Sequence, residues 1–395
     1  MINEILDHKS IWIMYCAENS DPYFKKFITG KTIVPSMAVL SHDKIFLLVH
    51  ELDENNVKDF SGEVITYSSS IPSSLQKIIK NLNFPENIFL NFSDKLDFQT
   101  DVLGYGTFRF LHDNICSFYQ SNTKSTPEFK SADNIIYELM DTKSEEDIKY
   151  LKIAANRALQ ILNSTFQKIK VGMTEKQIAN LTQKIFMQKP NYFKFHGIVK
   201  EEFSWEQETC PIVLVGPNLK KGGHSEPSNT MLKPGYTVYF DFGVKFFLKS
   251  GKCYSSDIQR MGYALKPNER NAPPEVQKVF DTLKSAIELG KNACKPGVLG
   301  HEIDAIVRSQ ILNAGYPDYN HATGHPVGEN AHSPGTSLSP KGHKRSALPL
   351  RENGVYTIEP RIQIENGGSI EEMIQVTKSG GITLCPPQQK LYLIR

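Results

Sequence analysis

Three histidines stand at positions 321, 325 and 332 in HATGHPVGENAHSPG, the stretch from His321 to Gly335. Imidazoles spaced this closely can ligate a metal, move protons or steady an anion. On a helix, His321 and His325 would share a face. Gly324, Pro326, Gly328 and Pro334 break that geometry and predict a short strand or loop threading past something. A surface loop that happens to hold imidazoles would have a similar composition, so the deciding residues must lie elsewhere.

They are acids. YTVYFDFGV (236–244) and CYSSDIQRMGY (253–263) read as the arms of a hairpin. Asp241 falls in an otherwise apolar strand, where a lone carboxylate is costly unless paired or metal-bound. The midpoint of 241 and 257 is 249, beside the Ser250-Gly251 turn signal. A symmetric hairpin therefore sets Asp241 and Asp257 about 5 Å apart across the strands. VYTIEPRI (355–362) and SIEEMIQVTKSG (369–380) repeat the arrangement, because the midpoint of Glu359 and Glu371 is 365, next to Asn366-Gly367-Gly368. A single acid is usually a solvated surface charge. Two hairpins that each pair acids across apolar strands call for a cation between the like charges. Four carboxylates with one imidazole form an oxygen-rich set for two divalent ions. Two such ions roughly 3.5–4 Å apart hold one hydroxide and polarise a carbonyl, which makes hydrolysis the expected chemistry.

In the order Asp, Asp, His, Glu, Glu, the chain resembles the pita-bread metallopeptidases, which include methionine aminopeptidases, Xaa-Pro aminopeptidases, prolidases and the metal-free creatinase. The resemblance rests on DFG at 241–243, YSSDIQR at 254–260, TGHPVGENAH at 323–332, TIEP at 357–360 and IEEMIQVT at 370–377. It implies Asp241, Asp257, His325, Glu359 and Glu371 as ligands of two divalent ions, manganese first, with cobalt, zinc or iron as alternatives. Glu371 is preferred to Glu372 because it lies six residues before Thr377. The resemblance further implies that Asp257 and Glu371 each reach one or both ions and that Glu359 also shuttles the nucleophile's proton. His332 would steady the tetrahedral intermediate, and His224, 17 residues before Asp241, would face the substrate. His321 precedes the ligand histidine by four residues, as in some proline-specific members, and would shape the substrate pocket.

The implied activity is that of a dinuclear metal-dependent exopeptidase hydrolysing the bond between an N-terminal residue and proline, as aminopeptidase or as dipeptidase. Its partner is then a peptide with proline in second position. A dipeptide's free carboxylate needs a cation, for which Arg361 and Arg351 are candidates by proximity to Glu359. Alternatives on the same fold are a metal enzyme acting on a small non-peptide molecule and a non-catalytic binding protein; retention of all five ligand residues speaks against the second. The family also implies a homodimer formed through the N-terminal domain. Three departures stand out. The spacing between the two aspartates is longer than the family usually shows, implying an insertion at the hairpin tip. Ser369 stands where many Xaa-Pro enzymes carry an arginine. Pro326 follows the ligand histidine where methionine aminopeptidases have glycine.

Elements must position these residues, and 395 of them exceed what one core usually serves, so two domains are expected. In residues 1–140, WIMYCA, SMAVLSHDKIFLLVHE and ENIFLNFS read as strands, the second as a hairpin turning near His42-Asp43. SSLQKIIKNLNF and RFLHDNICSFYQSN carry helical spacing. SDPYFKKFITG (20–30) resembles an early segment of the N-terminal domain of Xaa-Pro enzymes. Residues 141–395 open with a long amphipathic helix that has Ser144 as its N-cap. KVGMTEKQIANLTQKIF (170–186) and KPGVLGHEIDAIVRSQIL (295–312) form a weak repeat, each opening a helix. The expected class is α/β: an N-terminal creatinase-type α/β accessory domain, then a C-terminal pita-bread α+β catalytic domain with pseudo-two-fold halves. A net charge of +2 points to neither nucleic acid nor an acidic membrane surface. Apolar runs such as IFLLV at 45–49 are strand-sized, MINEILDHKS lacks an export signature, and six scattered cysteines suit reduced thiols. Together these predict a cytoplasmic protein.

Overall fold

A computed structural model describes residues 5–18, 20–27, 30–188, 196–205, 210–221 and 225–395. Its helices are α1 (Ile71–Asn81), α2 (Tyr105–Thr123), α3 (Asp133–Asp141), α4 (Glu145–Phe166), α5 (Glu175–Phe186), α6 (Pro274–Ala293) and α7 (Gly300–Asn313). The chain divides into two compact units, Met1–Leu139 and Met140–Arg395.

In the first unit, strands β1 (Ser10–Cys16), β2 (Ser36–Ser41), β3 (Ile45–His50), β4 (Glu63–Tyr67), β5 (Asn87–Leu90) and β6 (Glu128–Ser131) form one mixed sheet in the order β4-β3-β2-β1-β5-β6. The β2–β3 hairpin turns at residues 42–44, as the sequence predicts. The buried apolar faces of the sheet and of α1 and α2 make its core, with Ile11, Val39, Leu48, Leu75, Ile78 and Leu111 among the contributors. Nothing in the sequence pattern marks β4 or β6, because β4 is largely exposed and β6 is only four residues long.

The second unit has two halves, each with its own apolar core under a pair of helices. The first contains α4 and α5 with β7 (Ile198–Phe203), β8 (Ile212–Val215), β9 (Thr237–Phe242), β10 (Val244–Leu248), β11 (Cys253–Ser255) and β12 (Ile258–Ala264). The second contains α6 and α7 with β13 (Val355–Ile358), β14 (Arg361–Ile362), β15 (Gly368–Ser369), β16 (Glu372–Thr377) and β17 (Gly380–Thr383). A last strand, β18 (Tyr392–Ile394), returns to pair in parallel with β12, giving the order β18-β12-β9-β8. Ser144 caps α4 as its sequence predicts: its hydroxyl accepts from the Asp147 N–H at 3.1 Å, and Asp147 accepts from the Ser144 N–H at 2.8 Å.

The weak repeat is matched bond for bond. Gly172 (φ +93°) and Gly297 (φ +88°) each turn the chain into the segment that opens α5 or α7. The Gly172 N–H donates to Leu232 O at 2.9 Å and the Leu232 N–H to Met173 O at 2.8 Å. In the second half the Gly297 N–H donates to Leu350 O at 2.9 Å and the Leu350 N–H to Val298 O at 2.8 Å. Asp241 lies nine residues after Leu232, and Glu359 nine after Leu350. The halves therefore present an acid at the same place in the same motif. No helix among the described residues is long and apolar enough to cross a membrane.

Candidate metal centre

The first hairpin departs from its predicted register. Asp241 pairs with Gln259 rather than Asp257, and Lys245 with Ser255, so the axis falls on residue 250 instead of 249. A three-residue loop explains the shift: the Leu248 N–H donates to Lys252 O at 2.8 Å, with Gly251 at φ +86° closing the turn. Asp241 and Asp257 are thus diagonal neighbours. Between them the arms change sheets, from β9 and β12 to β10 and β11, which form a separate three-stranded sheet with β7. The change occurs at Gly243, where an added Cβ would lie 1.9 Å from Ser256 O. That close approach lets both acids turn into one hollow, where the carboxylates of Asp241, Asp257 and Glu371 have oxygens within 4.8 Å of one another.

The second hairpin keeps its predicted axis at 365. The pairs Ile358↔Glu372 and Arg361↔Ser369 bracket Glu359 and Glu371, which stand across from each other. One backbone bridge then joins the hairpins: the Glu371 N–H donates to Gln259 O at 3.2 Å, and the Gln259 N–H to Glu371 O at 3.4 Å. Strand alternation sends the neighbours Arg260 and Glu372 away from the hollow, where they form a buried ion pair at 3.0 Å. This alternation turns Glu371 toward the other acids and Glu372 away from them.

The histidine stretch threads as an extended segment along β13. The N–H groups of Thr357 and Glu359 donate to His325 O (2.9 Å) and Thr323 O (2.8 Å). A Cβ on Gly324 would meet Thr357 O at 2.0 Å, so glycine is required for this contact. His325 Nε2 points among the acids, 3.6 Å from Glu359 Oε1 and 3.8 Å from both Asp257 Oδ2 and Glu371 Oε1. The exposed His332 ring lies with its centroid 4.2 Å from that of His325. His321 lines the same cavity and packs on Tyr319 at 4.8 Å. Its backbone is fixed from α7, where Arg308 donates both to Asp304 (2.8 Å) and to His321 O (3.0 Å). His224 lies outside the described residues. The structure thus brings Asp241, Asp257, His325, Glu359 and Glu371 together, with His321 and His332 at the rim.

Burial and mutual repulsion dominate the electrostatics. Burial first, then the neighbouring carboxylates, push Asp257 and Glu371 well above the usual carboxylate range; the same causes move Glu359 to about 8. Burial holds His325 well below the usual imidazole range, which keeps its lone pair available. Among the described residues, Asp257 Oδ1 and both carboxylate oxygens of Glu371 are buried with no hydrogen-bond partner. Unpartnered carboxyl oxygens converging on a neutral imidazole are the donor set a divalent cation takes, displacing their protons as it binds.

The sequence reading missed Gln259 and Tyr239. The Gln259 amide donates to Glu359 Oε2 at 2.8 Å and to Asp241 Oδ2 at 3.3 Å, and the Tyr239 hydroxyl to Asp241 Oδ2 at 3.0 Å. Both lie two residues from an aspartate on the same strand face, so a period-two reading finds them. It also missed Arg345. The cavity over the acids, about 620 Å³, is lined by Arg345 and Arg361 but not by Arg351, and its apolar wall includes Trp205 and Ile212.

Residues 149–378 match the family profile described as Metallopeptidase family M24. An uncharacterized peptidase of Bacillus subtilis, YqhT, is 27% identical over 378 residues, covering 93% of each chain. The Xaa-Pro dipeptidase of Pyrococcus horikoshii is 24% identical over 396 residues, covering 99% of this chain and 97% of the relative. Among solved structures, the X-Pro aminopeptidase of Thermotoga maritima superposes with a TM-score of 0.69 at 23% identity, covering 99% of both chains.

Proposed function

Since the chain belongs to metallopeptidase family M24, we propose that it is a dinuclear Xaa-Pro peptidase that cleaves dipeptides in preference to longer peptides. The observation that carries this reading is the cluster of buried acids around His325, with unpartnered oxygens on Asp257 and Glu371. Asp241, Asp257, His325, Glu359 and Glu371 would hold two divalent ions. The hard oxygen donors with one imidazole favour manganese, with cobalt, iron or zinc as alternatives. When bound, the ions lower the pKa of water and polarise the scissile carbonyl.

The remaining work falls to side chains. Glu359 takes the proton of the attacking water and passes it to the leaving nitrogen. Gln259 fixes that carboxylate through its 2.8 Å bond and leaves the other oxygen to act. His332 donates to the oxygen that becomes negative in the tetrahedral intermediate. Trp205 and Ile212 give the cavity an apolar wall for a proline ring. Arg345, anchored by its bond to Ser333 O at 3.3 Å, supplies the cation for the substrate's free carboxylate. Names of relatives, a dipeptidase and an aminopeptidase, support proline in second position.

The test is to strip the purified protein of metal and assay Ala-Pro, Ala-Pro-Pro and Met-Ala-Ser with and without added Mn²⁺. Metal-restored cleavage of Ala-Pro above all, abolished together with metal binding in Asp257→Ala, is the expected result. Cleavage of Met-Ala-Ser at a comparable rate would refute proline specificity, and metal binding with no peptide cleaved would point to a non-peptide substrate.

A further inference from the structure

Ser369 directly faces Arg361 across the β14–β15 pair. The Ser369 hydroxyl donates to Pro360 O at 2.8 Å and so turns back along its own hairpin. Arg361 is almost wholly buried, although it lines the cavity. Its guanidinium carbon lies 5.0 Å from the centroid of the Tyr239 ring, and one terminal nitrogen donates to Lys221 O at 3.1 Å. Nε is buried with no hydrogen-bond partner among the described residues. The ring beneath the guanidinium belongs to the tyrosine whose hydroxyl donates to Asp241 at 3.0 Å. A planar cation stacked on a buried phenol restricts that ring's rotation and places positive charge beside the acids.

We propose that Arg361 is a positioning residue for the metal centre, acting through Tyr239 on Asp241, with its guanidinium delivered from the strand opposite position 369. The departure at 369 is thereby compensated in space rather than in sequence: the cation crosses one rung of the ladder. In this role Arg361 acts through Tyr239 rather than on an ion or the substrate. This rests on the reading of Asp241 as a ligand.

The test titrates metal-stripped full-length protein with Mn²⁺ by calorimetry in wild type, R361K, R361S, the R361S/S369R exchange and D241N. R361S is expected to weaken one of two binding events by about 10–100-fold, the range for groups that orient a ligand. The exchange should recover most of that loss, and R361K only part, because an ammonium has no planar face to stack. Wild-type binding in R361S overturns the proposal. An exchange as weak as R361S, yet as thermally stable as wild type, overturns it also, by reducing Arg361 to packing. Should R361S fail to fold, wild-type affinity in R361K is the overturning result. D241N is expected to lose one ion; if it binds both ions like wild type, the ligand reading and this proposal fall together, whereas an effect in D241N but none in R361S removes the proposal alone.

Discussion

Arg260→Ala separates the architecture behind the centre from the centre itself. The Arg260 side chain is fully buried; it donates to Gln259 O at 2.9 Å, Glu371 O at 2.8 Å and Glu372 Oε2 at 3.0 Å. Removing it does not orphan the two carbonyls, since each keeps the backbone N–H of the Gln259–Glu371 bridge. The damage falls on Glu372, which is left buried with one remaining donor, the Gln388 N–H at 2.9 Å. Stripping one partner from a buried pair costs about 3–5 kcal/mol. At ~2–4 °C per kcal/mol for a unit of this size, metal-stripped Arg260→Ala should melt roughly 6–20 °C below wild type at pH 7.5. Burial already raises the Glu372 carboxyl, and Arg260 opposes that rise. In the variant the folded-state pKa climbs further above its unfolded value, so stability is lost as pH rises toward it and regained on acidification. The gap to wild type must therefore narrow at pH 5.5. Adding Glu372→Gln, which leaves no buried charge, should recover about half the loss. Differential scanning calorimetry decides the matter: a loss below ~1 kcal/mol, or a gap indifferent to pH, refutes the reasoning.

Three further outcomes are expected. Asp257, Glu371 and Glu359 have folded-state values above their unfolded ones, Glu359 at about 8. As pH rises from about 5 to 8 the unfolded chain releases protons first, so the metal-free protein should lose stability over that range and Mn²⁺ should restore it. A melting temperature that is flat or rising with pH contradicts this. His332→Ala should retain both ions by elemental analysis while kcat falls about 10²–10³-fold; unchanged turnover removes its assigned role. Arg345→Ala should raise KM for Ala-Pro at least about tenfold, the order of one lost charge-assisted bond, and leave Ala-Pro-Pro less affected. Equal effects on both peptides would return Arg345 to a structural role.

The two hairpins illustrate what a sequence carries. In the second, the Asn366-Gly367-Gly368 signal centres the pairing on 365, and Glu359 and Glu371 face each other as read. In the first, the same logic misses by one residue, because a three-residue loop with Gly251 in the left-handed region moves the axis to 250. A slip that small exchanges Asp257 for Gln259 opposite Asp241, while the sheet change at Gly243 still brings Asp257 into the hollow. Capping at Ser144 and the paired glycines at 172 and 297 were legible because local chemistry determines them. Tertiary neighbours were not. Arg345 reaches the cavity from a segment whose apposition no local pattern encodes, and the packing of Arg361 on Tyr239 joins two strands far apart in sequence. Short exposed strands such as β4 had no alternation to read.

The return of β18 to the edge of β12 sets a timetable for synthesis. A ribosome delivers Asp241, Asp257 and Gln259 well before the strand that completes their sheet. The 135 residues from Gln259 to Ile394 take roughly 7–27 s at 5–20 residues per second. During that interval the nascent β12 lacks its neighbour, and for most of it Gln259 has no Glu371 backbone to bridge. Asp257, just before β12, is then hydrated and charged, and charge beside an unpaired edge discourages mispairing with other chains. A carboxylate that later faces Glu371 and His325 would first serve as a guard on an open sheet.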